Sequence, residues 1–155
     1  MVLAVLVGCG TSEEAHSNTA PVIEARVSPA ALRVARSFLE TAVGRKDLAS
    51  AYTLVGPWLK GVSKAQWIKG NNPVTYFPAS NLKTAPFKVK SSTKNALLLE
   101  VGPLLAGKGT KIGGLPSLAF TMEVDRIHGK WLVNYFMPDY SLKRLAADKA
   151  GQGSN

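Results

Sequence analysis

The chain has one cysteine, Cys9, and two histidines, His16 and His128. A single thiol excludes an internal disulfide and any paired-cysteine metal site. Two scattered histidines and one cysteine give no ligand spacing for a metal, so neither metal nor cofactor is expected. Long apolar runs are also missing. None reaches the ~20 residues that a membrane-crossing helix needs. Acidic residues are scarce, at 10 against 19 lysines and arginines. What remains is enough for a folded domain: 155 residues, 46% hydrophobic and 19% charged, with room for a core.

The net charge of +9 favours anionic surfaces such as lipid headgroups or wall polymers. Lys83, Lys88, Lys90 and Lys94 gather around one pair of expected strands. Lys108, Lys111, Lys143, Arg144 and Lys149 lie further on. Nucleic-acid binding would interleave aromatics among these cations, and that pattern is weak, so no nucleic-acid partner is expected. Lysines on an outer strand also serve to block pairing with other chains.

The only cysteine follows Leu6-Val7-Gly8. This stretch resembles the lipobox of bacterial lipoproteins, in which an aliphatic residue and small residues precede the lipidated cysteine. The resemblance implies that Cys9 carries a diacylglyceryl group and becomes the first mature residue. Met1 to Gly8 contains no Lys or Arg for a basic n-region, so the expected start lies upstream. The polar stretch "GTSEEAHSNTAP" after Cys9 reads as a tether and weighs against a buried thiol. A catalytic thiol would need a held partner, and only His16 is near. Residues 1–27 are thus read as truncated signal and tether, 28–140 as the folded domain, and 141–155 as a short helix and disordered tail.

Ser28-Pro29 opens a helix with apolar residues from Ala31 to Val43 at helical spacing. Asp47 caps a second helix, which Gly56-Pro57 is expected to end. Ser63-Lys64-Ala65-Gln66 is a capping box for a third, with Val62 and Trp67 placed as a hydrophobic staple. Period two then takes over. Val74–Phe77 is a short strand candidate, and strands follow around Phe87–Ser91, Leu97–Val101 and Leu118–Asp125. A hairpin at Gly129 leads to a last strand over Trp131–Met137. "GPLLAGKGTKIGGLP" reads as a long glycine-rich hairpin loop.

Helices first and an antiparallel meander after give an α+β class, with N-terminal helices on a curved sheet. The order, the front end "FLETAVGRKDLASAY" and the ending "HGKWLVNYFMP" resemble the nuclear transport factor 2-like superfamily. That resemblance implies a cone-shaped α+β domain, a family shared by isomerases, cyclases and non-catalytic modules. Similar domains occur at the start of penicillin-binding transpeptidases and in assembly components of conjugation machines, which implies an envelope protein partner.

An enzyme of this kind would need an acid or base inside the cone. Glu123 and Asp125 alternate with Phe120, Met122 and Val124, so they face solvent if the apolar set faces inward. Asp47 is used as a cap, His128 lies in a turn, and Asp139 falls near the domain edge. No catalytic residue is assigned. The candidate pocket residues are Tyr52, Trp67, Tyr76, Glu100, Phe120 and Tyr135. The alternative for the aromatics is plain core packing, and for Glu100 a solvent-facing position. The expected function is a membrane-anchored extracytoplasmic binding or scaffolding module of the bacterial envelope. The alternative is a small isomerase- or cyclase-type enzyme.

Overall fold

The structure is a computed structural model, and it describes residues 26–107 and 116–139. Cys9, the expected tether, the tip of the glycine-rich loop and the expected C-terminal tail lie outside the described residues. The class is α+β: four short helical segments precede an open antiparallel sheet.

Helix α1 runs Pro29–Phe38, with Ser28 as its cap and Pro29 in its first turn. The expected helix does not stay α-helical to Val43. From Leu39 to Val43 it widens into a π-helical turn, and the Gly44 N–H reaches the Leu39 carbonyl at 3.0 Å. The wider turn leaves Leu39, Ala42 and Val43 fully buried together. Asp47 caps α2 (Leu48–Thr53), accepting from the Ser50 N–H at 2.9 Å and its hydroxyl at 2.6 Å. These hydrogen bonds hold its carboxyl below the usual carboxylate range.

Gly56-Pro57 does more than end a helix. Val55 pairs in parallel with Val133 of the last strand, and the Gly56 N–H donates to the Val133 carbonyl at 2.8 Å. Pro57 then starts a one-turn helix, α3 (Pro57–Lys60), that the sequence reading did not contain. Proline suits this place because a first-turn N–H has no helical partner to lose. The capping box forms as expected at α4 (Lys64–Ile68), and Trp67 is buried there.

Val74–Phe77 is not a strand. The Val74 backbone groups are taken by side chains, with Asn72 Oδ1 accepting its N–H and the Arg45 guanidinium donating to its carbonyl at 3.0 Å, and the Phe77 N–H donates to the Val43 carbonyl of the π-helical turn at 3.2 Å. These bonds occupy the Val74 and Phe77 groups that a ladder with a neighbouring strand would use.

The sheet has the order β1-β2-β3-β4, with β1 Phe87–Ser92, β2 Ala96–Leu105, β3 Ser117–Ile127 and β4 Lys130–Asp139. Strand β2 continues through Gly102 to Leu105, so the first part of the expected loop is sheet. His128 and Gly129 both take positive φ in the β3–β4 turn, which suits a tight hairpin. The inner face carries Leu97, Leu99, Val101, Phe120, Met122, Val124, Val133 and Phe136, all buried. Against it pack the aromatic rings that knit helix to sheet. Phe120 stacks on Phe136 at 4.6 Å, Phe38 meets Phe136 edge-on, and Phe77 meets Phe120.

Strand β4 breaks its alternation once. Glu123 pairs with Tyr135 but Val124 pairs with Val133, so Asn134 is the extra residue of a bulge. After it, Phe136 turns inward while Tyr135 and Met137 turn outward. A strict period of two from Trp131 through Val133 to Tyr135 does not survive this insertion.

Candidate functional site

The six candidate pocket residues are dispersed. Phe120 belongs to the aromatic core, and Trp67 is fully buried under Tyr52, whose ring meets it edge-on at 5.8 Å. The indole N–H of Trp67 has no hydrogen-bond partner among the described residues. The Lys60 ammonium lies 4.9 Å from the Tyr52 ring centre. Tyr76 is half exposed, with the Arg45 guanidinium over its ring at 6.0 Å. Glu100 sits on the outer sheet face and holds Lys90 at 3.3 Å and Lys88 at 3.9 Å. Tyr135 alone lines the pocket described below.

That pocket lies on the outer face beside β4. It has a volume of about 350 Å³ and is lined by Trp58, Glu123, Asp125, Asn134 and Tyr135. The bulge and α3 build it together. Asn134 accepts from the Trp58 N–H at 3.1 Å and donates to Asp125 Oδ2 at 2.8 Å. One amide thus fixes the start of α3 against β4 and orients a carboxylate on β3. Trp58 is 86% exposed, the largest apolar side chain left to solvent among the described residues, and Tyr135 is 46% exposed. Aromatic side chains with a few polar groups converging between them are the lining of a small-molecule site.

Glu123 and Asp125 stand two residues apart on β3, on the face opposite buried Met122 and Val124. Both are half-buried. Among the described residues no side chain pairs with the Glu123 carboxylate, and the ion pairs present all engage Glu100. Partial burial, and then the charge of Asp125, push the Glu123 carboxyl above the usual carboxylate range. On a chain of net charge +9, these two carboxylates stand next to two exposed aromatics with no cation in the pocket lining.

The opposite edge of the sheet is basic. Lys83, Lys94, Lys88 and Lys90 are exposed on or beside β1, about 14 Å from β4 at ordinary strand spacing. Among the described residues no group of three or more potential metal ligands exists. No helix there is long and apolar enough to cross a membrane.

The sequence placed Glu123 and Asp125 outward and offered Trp58 among the aromatics that could line a pocket, without choosing it, and gave no sign of Asn134. Trp58 directly after Gly-Pro was the available signal, because a helix starting at Pro57 fixes where its indole points. Comparison of the chain with protein-family models, curated proteins and solved structures finds no match.

Proposed function

We propose that the chain is a binding module of the bacterial envelope, tethered outside the membrane through lipid on Cys9, with a nuclear transport factor 2-like domain. The lipobox-like Leu6-Val7-Gly8-Cys9 supports the anchor, and helices followed by an antiparallel meander support the domain. The observation that carries the binding role is the outer-face pocket, with its exposed Trp58 and with Glu123, which has no ion-pair partner among the described residues. The basic β1 edge lies against anionic lipid or wall polymer in this reading, which leaves the β4 edge to a ligand or an envelope protein. An isomerase- or cyclase-type reaction would need an acid or base on the inner face. Among the described residues every fully buried side chain is apolar.

Two measurements test this reading. The gene, expressed in a bacterium with its upstream in-frame sequence, yields an N-terminal fragment whose mass shows a diacylglyceryl group on Cys9. An unmodified Met1 or a free Cys9 thiol ends the anchor. The chain also sediments with phosphatidylglycerol vesicles, and replacing Lys83, Lys88, Lys90 and Lys94 by Gln weakens this. At about 1 kcal/mol for each lysine near an anionic surface, less what Glu100 already neutralises, the loss is roughly hundredfold. Unchanged sedimentation removes the basic edge from the reading.

A further inference from the structure

We propose that the pocket beside β4 binds a small aliphatic amine by its primary ammonium group. The inference rests on the pocket being a binding site, and it names what is bound. The volume is the starting point: about 350 Å³ takes an ammonium together with a carbon stem of several atoms. Trp58 and Tyr135 wall it with aromatic surface, which suits both a carbon stem and a cation.

The polar atoms then select the head group. Asp125 Oδ2 already accepts from Asn134. Asp125 Oδ1 and both Glu123 oxygens accept no hydrogen bond among the described residues. Three free acceptor oxygens match the three N–H donors of a primary ammonium, which has nothing to accept. An anion would meet two carboxylates with no cation in the pocket lining to offset them. An uncharged ligand would leave both charges partly desolvated and unpaired. Arg126 follows Asp125 on β3, and alternation sends it to the other face. A quaternary ammonium would satisfy the charge but offers no N–H to the three oxygens.

The test uses the full 155-residue chain. The indole N–H resonance of Trp58, identified with Trp58→Phe, is followed by two-dimensional NMR during titration with n-butylammonium, n-butanol and tetramethylammonium. The expected result is saturable binding of n-butylammonium, with n-butanol and tetramethylammonium each weaker by about tenfold or more. Glu123→Gln weakens n-butylammonium by about tenfold, and Lys88→Gln leaves it unchanged. If n-butanol binds as well as n-butylammonium, the pocket is a binding site but the ammonium inference falls. Equal binding of tetramethylammonium, or no effect of Glu123→Gln, overturns the match of donors to oxygens and with it the proposal. If none of the three ligands shifts Trp58, both the inference and the reading of the pocket as a binding site fall.

Discussion

Gly56→Ala probes whether Asn134 joins α3 to the sheet as its geometry implies. A Cβ placed on Gly56 lies 2.5 Å from Asn134 Oδ1, 3.1 Å from its Cγ and 3.2 Å from Ile127 Cδ1. The backbone there has φ −78° and ψ 172°, which alanine adopts freely. The cost therefore comes from displacing the Asn134 amide, and with it the bonds to Trp58 and Asp125. The neutral bond is worth about 1 kcal/mol and the one to the carboxylate about 1.5 kcal/mol, near the low end for charged groups because water reaches the site. Alanine returns about 0.4–1 kcal/mol by restricting the unfolded chain. The net expectation is a destabilisation of about 1.5–2 kcal/mol.

Asn134→Ala removes the same two bonds without the returned entropy and costs about 2.5 kcal/mol. In that background the two closest atoms to the new Cβ on Gly56 are gone, and the next, at 3.2 Å, is the end of the Ile127 side chain, which can rotate aside. Gly56→Ala then stabilises by about 0.4–1 kcal/mol, and the double mutant shows a coupling of about 2.5 kcal/mol, the cost of the two bonds. Urea unfolding of the four proteins measures it, with m required to stay constant so that midpoints report stability. Additive costs, or a neutral Gly56→Ala in the parent chain, refute the claim that one amide connects the two elements.

Phe136→Ala removes a fully buried ring stacked on Phe120 and touched edge-on by Phe38. It should cost about 3–5 kcal/mol and lower the thermal midpoint by at least about 12 °C. Calorimetry showing a shift of a few degrees would place the core elsewhere. Trp58→Ala should leave urea stability within about 0.5 kcal/mol, because its side chain is exposed. The same change should abolish the n-butylammonium response at the Tyr135 amide. Glu123 has Asp125 beside it on β3, Tyr135 opposite on β4, Leu98 opposite on β2 and Trp58 from α3. Its raised folded pKa means that stability falls as pH rises from the unfolded value through the folded one. Glu123→Gln should therefore raise the urea midpoint at about pH 7 and leave it unchanged near pH 3, where both states are protonated. Equal midpoints at both pH values would show that the charge at Glu123 carries no penalty.

Periodic features were legible in the sequence, and irregular ones were not. Phe120, Met122 and Val124 repeat at two and line the inner face, so the outward placement of Glu123 and Asp125 followed directly. Ser28, Asp47 and Ser63 cap helices because their side-chain oxygens reach free N–H groups a few residues on, a local matter. The strand expected at Val74–Phe77 failed for a distant reason: Arg45, 29 residues before Val74, takes its carbonyl. The pocket is illegible in the same way. Its shape depends on one inserted residue, Asn134, in β4 and on a proline that starts a helix after a parallel contact with that strand. Each is a single-residue event with no period. The two meet at the Asn134 amide, which receives the Trp58 N–H. Had β4 kept its alternation, Tyr135 would share the face of Val133. The carboxylates would then lie on the outer face without Tyr135 beside them. The insertion at Asn134 therefore converts two solvent-facing acids into the lining of a pocket.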